Sequence, residues 1–271
     1  MKLKELINIL SKNDIENLYN EHGTLKKVAG IYNVSPQTIS RLMDHYSIKR
    51  NNKNLGNKQH FFNEDYFSNV DNQDKAYWLG FIMADGCIYE GTKNTYRLQI
   101  NLKYEDVSHL NRFQEAINSN YSIQRKEINN SIVAILKINS TKMCKDLMKA
   151  GVTERKSLIC KFPSIKEELY SHFIRGYFDG DGCISLTLNS KIRKEFSIVG
   201  GESMIASFSD ILKLDVHSLT NREHLKCVRT SDKTKIIELY NYLYKDCNYF
   251  LQRKKKVYDI LIYILRSPLM E

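Results

Sequence analysis

The chain has 271 residues, 42% of them hydrophobic and 11% aromatic, which supports packed cores and excludes wholesale disorder. Its formal charge of +10 points to a polyanionic partner, nucleic acid first and an anionic membrane surface second. No apolar run approaches the roughly 18 residues of a membrane span, so no membrane insertion is expected. The six cysteines are scattered without a C-x-x-C pair, and nothing at the front reads as a signal peptide. Free, buried thiols in a cytoplasmic protein are therefore expected, rather than a zinc site or a disulfide framework.

Residues 1–56 read as a small module and a linker. TLKKVAGIYNVSPQTISRLMDHY, from Thr24 to Tyr46, has the pattern of a helix-turn-helix. Thr24 can cap the first helix, Val28 and Ala29 face inward, and Asn33 suits a left-handed turn before Val34. Ser35-Pro36 is a helix start, and Ile39 and Leu42 again face inward. That leaves Gln37, Thr38, Ser40 and Arg41 for a DNA groove; an ordinary helical hairpin is the competing reading. The polar, basic stretch SIKRNNKNLGNKQH that follows reads as a linker.

From residue 57 the pattern predicts two half-domains, 57–165 and 166–271. In the first, the helical YWLGFIMADGCIY is followed by a hairpin, CIYEGTKNTYRLQINLK, and a helix, EDVSHLNRFQEAINS. Strands are predicted around 121–126 and 132–138, then the helix TKMCKDLMKAG, closed by Gly151. The second half opens on FIRGYFDGDGCIS and repeats the order through CISLTLNSKIRKEFSIV, ESMIASFSDILKL, strands near Val216 and Leu225, and DKTKIIELYNYLY. GFIMADGCI and GYFDGDGCI align at an offset of 96 residues, which sets Gly80 on Gly176 and Asp85 on Asp181.

Gly80 and Ala84 are four apart, as are Gly176 and Gly180, so each motif helix carries a face almost without side chains. Glycine inside a helix costs up to about 1 kcal/mol relative to alanine. Two helices sharing that defect predict close mutual packing across a pseudo-twofold axis, with Gly86 and Gly182 ending them in the left-handed conformation. The packing would set Asp85 and Asp181 side by side, each at the negative pole of its helix. Two unit charges about 4 Å apart repel by about 4 kcal/mol at an effective dielectric of 20. Either one acid keeps a proton, or a divalent cation sits between them; carboxylates and freed carbonyls are the donors Mg²⁺ prefers.

WLGFIMADG and IRGYFDGDG resemble the two signature motifs of the LAGLIDADG homing endonucleases in their single-chain form, over about Phe61 to Ile264. The resemblance implies an α+β protein: a pseudo-twofold duplicated αββαββα LAGLIDADG endonuclease fold, preceded here by the small all-α helix-turn-helix domain. It implies a monomer, intracellular and belonging to a mobile element, that hydrolyses double-stranded DNA at a specific site with metal-activated water. Asp85 and Asp181 would bind Mg²⁺ (or Mn²⁺), helped by the carbonyls of Ala84 and Gly180. A basic residue near the metal is also implied, with Lys103 the first candidate and Lys137 the next. Met83 stands where an acid is often found; the second copy keeps Asp179, at a position that is not a metal ligand in the family.

In such enzymes a saddle of strands lies along the duplex. Here the outward positions would be Arg97, Gln99, Asn101 and Lys103 in the first half and Ser185, Thr187 and Asn189 in the second. The run Arg253-Lys254-Lys255-Lys256, ahead of VYDILIYIL, reads as the solvated first turn of a terminal helix or as a phosphate contact, and Lys156 is a further phosphate candidate. The alternative function is a DNA-binding regulator that keeps the fold and has lost cleavage. An intein is rejected, because it needs a nucleophile at the front and usually His-Asn at the end.

Overall fold

A computed structural model describes residues 3–22, 24–48, 60–152, 160–188, 192–220, 222 and 224–267. They form two compact units, Met1–His60 and Phe61–Glu271. Asn189 and Lys156 lie outside the described residues. Among the described residues no helix is long and apolar enough to cross a membrane.

The first unit contains α1 (Leu3–Ile9), α2 (Lys12–His22), α3 (Leu25–Ile31) and α4 (Pro36–His45) around Leu6, Ile15, Val28, Ala29, Ile39, Leu42 and Met43. Local chemistry sets the helix starts. The Thr24 hydroxyl accepts from the Lys27 amide at 3.3 Å and the Ser35 hydroxyl from the Thr38 amide at 3.2 Å, with Pro36 in the first turn. Between α3 and α4, Asn33 takes the left-handed conformation (φ 50°) and Val34 packs half-buried on the core.

The second unit opens on α5 (Gln73–Asp85), capped by Asn72, whose side chain accepts from the amides of Asp74 and Lys75. It continues with β1 (Gly86–Glu90), β2 (Tyr96–Lys103), α6 (Val107–Ala116), β3 (Gln124–Ile128), β4 (Ser131–Asn139) and α7 (Thr141–Lys149). The second half follows with α8 (Tyr170–Asp181), β5 (Gly182–Leu188), β6 (Ile192–Gly201), α9 (Glu202–Leu212), β7 (Val216–Ser218), β8 (Leu225–Thr230) and α10 (Lys233–Tyr244). A terminal helix outside the repeat, α11 (Gln252–Arg266), completes it.

Each half builds a four-stranded antiparallel sheet, ordered β1-β2-β4-β3 and β5-β6-β8-β7. The duplication reaches the pairing register: Gly86 faces Ile100 as Gly182 faces Ile198, and Cys87 faces Gln99 as Cys183 faces Ser197. One strand further, Gln99 faces Lys137 as Ser197 faces Arg229. Alternation places Leu98, Ile100 and Leu102 inside the core while Asn101 and Lys103 stay exposed.

Three expectations are corrected. The strand expected from residue 121 starts at Gln124, because Tyr121 is committed elsewhere: its ring packs edge-on to Phe62 and its hydroxyl accepts from the Asn139 amide. Gly86 and Gly182 are not left-handed; their φ values are −77° and −91°, and both run straight into strands. They are glycines for lack of space instead. A Cβ on Gly86 would lie 2.8 Å from Ile82 Cγ2, and one on Gly182 would overlap the Phe178 ring. Nor are all the thiols buried: Cys183 is exposed, and Cys87 and Cys247 are partly so.

Candidate catalytic centre at the paired motif helices

α5 and α8 touch without intervening side chains. A Cβ on Gly80 would collide with the carbonyl oxygen of Phe173 and come 2.9 Å from the Tyr177 amide. A Cβ on Gly176 would collide with the carbonyl oxygen of Tyr77 and come 2.8 Å from the Phe81 amide. The partners obey the same offset as the glycines, so each helix seats on the other by one operation: a pseudo-twofold axis between them. The second pair of small residues extends the seam, since a Cβ on Gly180 would overlap that of Ala84.

This seam carries both motif acids to one end of the pair. The Asp85 carboxyl carbon lies 3.4 Å from where a Gly180 Cβ would stand, so Asp85 reaches across to the opposite helix. Asp181 lines a cavity of about 320 Å³ together with Met83 and Ala84 of α5, Tyr177, Val199, Gly200 and Arg222. Burial and the neighbouring Asp181 charge push the Tyr177 phenol up from its ordinary pKa.

No protein-family model matches the chain, and no curated protein matches it. Solved structures do. The LAGLIDADG homing endonuclease I-GzeII, in complex with its DNA target, aligns with a TM-score of 0.51 over 74% of this chain and 94% of its own, at 14% identity. The LAGLIDADG meganuclease I-AabMI, bound to uncleaved DNA, aligns at 0.51 over 72% of this chain and 92% of its own, at 12% identity. The meganuclease I-SmaMI, bound to uncleavable DNA, aligns at 0.50 with 13% identity. The chain has the LAGLIDADG homing-endonuclease fold.

Within that LAGLIDADG fold, the helix ends show a feature that the sequence reading placed in solvent or against a phosphate. Lys254, in the first turn of α11, is 9% exposed. Its ammonium donates to the carbonyls of Phe178 (2.7 Å), Gly180 (3.1 Å) and Gly182 (2.5 Å), closing the negative pole of α8. Burial lowers its pKa, while the acids Asp179 and Asp85 oppose that shift. The Gly180 carbonyl, expected beside a metal, is therefore already engaged by a cation, with one lone pair remaining. A signal for Lys254 was present in the sequence. It shares a helical stripe with Tyr258, Leu261, Ile262 and Leu265, all buried, so it belongs to the inner face of its helix.

The two lysines singled out from the sequence stand differently. Lys103 lies three residues beyond Ile100, the partner of Gly86, roughly 10 Å along the strand, and its side chain is 75% exposed beside Glu105. Lys137 is opposite Gln99, in the row that starts at Cys87, two residues past the end of α5. Arg97, Gln99, Asn101, Ser185 and Thr187 occupy outward positions on their sheets. In the first unit Gln37 and Arg41 are exposed, whereas Thr38 and Ser40 are half-buried and the Thr38 hydroxyl is 2.9 Å from that of Ser35.

A metal fits the donor chemistry at the helix ends, though not as a closed cage. Among the described residues no three His, Cys, Asp or Glu side chains converge. The available donors are two carboxylates, from Asp85 and Asp181, and main-chain carbonyls, which suit a hard divalent ion that keeps open positions for water and phosphate.

Proposed function

We propose that this chain is a site-specific DNA endonuclease that hydrolyses phosphodiester bonds at the junction of its two motif helices. The observation that carries the reading is the reciprocal glycine seat of α5 and α8, which delivers one acid from each half to the same end of the pair. A structural likeness at low identity speaks for the fold; the acids and their placement speak for the chemistry. The formal charge of +10 and the polar outward strands supply the surface that a duplex requires.

Asp85 and Asp181 would hold Mg²⁺ or Mn²⁺ with help from the Ala84 carbonyl. The bound ion would activate water and stabilise charge on the leaving oxygen. Lys254 offsets the combined negative field of the acids and the α8 terminus and keeps a cation near the reacting phosphate. Lys137 and its counterpart Arg229, in matching registers, would meet the duplex beside the centre. The half-domains 57–165 and 166–271 would each read one side of the site. The unit Met1–His60 would add contacts through Gln37, Thr38, Ser40 and Arg41, of which Gln37 and Arg41 are the most accessible.

The test is incubation of the full chain with a library of long duplexes, with Mg²⁺ and with chelator, followed by mapping of new ends. The reading expects ends at one recurring sequence that vanish with chelator. Tight, sequence-specific retention without ends would make the chain a DNA-binding regulator instead.

A further inference from the structure

We infer that the two sheets read their half-sites unequally: the first sheet specifies bases closely, while the second holds the duplex and tolerates substitution. This rests on the endonuclease reading above and adds how the specificity is divided. The registers name which side chains share the outward face of each sheet. On the first, the rows Tyr89–Arg97–Asn139 and Cys87–Gln99–Lys137 lie next to each other, followed by Asn101–Ile135–Gln124 and Lys103–Val133–Lys126. That face presents four cations, Arg97, Lys103, Lys126 and Lys137. It also presents four amides, Gln99, Asn101, Gln124 and Asn139.

The corresponding face of the second sheet carries Arg193 opposite Thr187, Glu195 opposite Ser185, and the rows Cys183–Ser197–Arg229 and Val199–Cys227–His217. Among its described residues there is no amide, the cations are two arginines, and Glu195 adds an acid. The difference has a direct chemical meaning. Arginine forms paired hydrogen bonds with guanine, and asparagine or glutamine with adenine, and each good pair discriminates roughly tenfold or more against the wrong base. Serine and threonine hydroxyls both donate and accept, so they fit most base edges and exclude few. A carboxylate facing DNA repels phosphates along the whole duplex.

The first face is also held ready. Gln99 Nε2 donates to Asn101 Oδ1 at 3.0 Å, which fixes both amide orientations. The Arg97 guanidinium stacks 5.3 Å above the Tyr89 ring, and its Nε is buried without a hydrogen-bond partner.

The experiment selects bound duplexes from a randomised pool with the full chain and sequences them, using cut ends to mark the centre. The expected result is strong base preference on one side of the centre and weak preference on the other. Gln99→Ala and Arg97→Ala should each relax one or two positions on the strict side about tenfold, without altering the loose side. Gln99→Ala serves if the half-buried Arg97 variant folds poorly. Glu195→Gln should tighten binding to all duplexes about threefold and relax no position. Equal preference on both sides, relaxation on the loose side by Arg97→Ala, or loss of a cytosine preference in Glu195→Gln would overturn the inference while leaving the endonuclease reading intact. Failure to retain any duplex would overturn both.

Discussion

The two motif helices seat each other through equivalent glycines, yet their outer faces have diverged. α5 buries Leu79 and Met83 where α8 buries Arg175 and Asp179, all at 2% exposure or less. Met83 meets an apolar neighbourhood, its methyl lying 3.1 Å from where a Gly151 Cβ would stand. Arg175 and Asp179 instead hold a segment of chain. Arg175 donates to the carbonyls of Tyr249 and Leu243, both at 2.8 Å, and Asp179 accepts from the Leu251 amide at 2.7 Å.

The first half grips the same segment from its other side. Arg112 donates to the Asn248 carbonyl at 2.5 Å, Asp74 accepts from the Asn248 side chain, and Asp106 accepts from Arg253 at 3.1 Å. The residues between α10 and α11 thus form a strap tied to both halves, and it ends at Lys254 on the α8 terminus. A buried charge is expensive unless paired, and here the two charged residues on one helix are matched to backbone groups of the strap, Arg175 to the Tyr249 carbonyl and Asp179 to the Leu251 amide. The repeated glycine seat is the scaffold that both halves share. Two positions at which the copies differ, Arg175 and Asp179 against Leu79 and Met83, hold the chain that leads to the lysine.

The comparison can be broken first at what the helices share. Gly80→Ala and Gly176→Ala each push a methyl into a main-chain oxygen. Either should cost more than about 3 kcal/mol and lower the thermal midpoint by ten degrees or more, read by circular dichroism. Gly30→Ala is the control, because nothing lies within 4 Å of its added Cβ; it should be neutral or slightly stabilising.

It can be sharpened next at what the helices do not share. Asp179→Ala leaves the Leu251 amide and the Tyr77 hydroxyl without their acceptor and removes the charge that neighbours Arg175, a loss of about 3–5 kcal/mol in chemical denaturation. Asp179→Asn, which keeps an acceptor, should cost much less, on the order of 1 kcal/mol. Grafting the first helix's chemistry onto the second, Arg175→Leu with Asp179→Met, should not rescue stability, because the strap's polar groups remain. A fully stable double variant would show that the strap does not need them.

Lys254→Met should reduce cleavage about a hundredfold or more at unchanged DNA affinity, whereas Lys103→Met should stay within about threefold. Equal losses would place the active cation back on the strand.

The smallest expected effect is on pH. Tyr77 gives its one proton to Asp179 at 2.7 Å, so His109 must donate Nε2–H to the Tyr77 oxygen at 3.0 Å and stay neutral. Burial, with help from Arg112, depresses the His109 pKa to about 3, and burial with Arg175 depresses that of His172 to about 4. The unfolded chain takes up these protons near pH 6.5, where the folded chain does not. Stability is therefore full above about pH 6.5 and falls as pH drops toward 4, by on the order of 3 kcal/mol from His109. Burial raises the Asp179 pKa, which acts in the opposite sense nearer the carboxylate range. His109→Gln should flatten the decline in thermal midpoint between pH 6.5 and 4.

What the sequence revealed and what it hid follow from range. The glycine stripes, the alternation of Leu98, Ile100 and Leu102, and the caps at Thr24, Ser35 and Asn33 are local patterns, and the structure shows each of them. The matching order of elements in the two halves was legible because the motif repeats at a fixed offset of 96 residues. Arg175 and Asp179 could not be interpreted without knowing which segment would lie on them, some 70 residues away. Gly86 and Gly182 misled because a glycine at a helix end usually signals a left-handed residue, and here it signals crowding. Lys254 was hidden by its neighbours, since three other basic residues in the same run suggested solvent.

The most direct measurement is single-turnover cleavage of one mapped duplex by the wild-type chain, Asp85→Asn and Asp181→Asn, with footprints recorded in parallel. If one acid from each half completes a shared centre, both variants lose a thousandfold or more in rate for cutting both strands while their footprints stay in place. Wild-type cleavage by either variant would contradict the account.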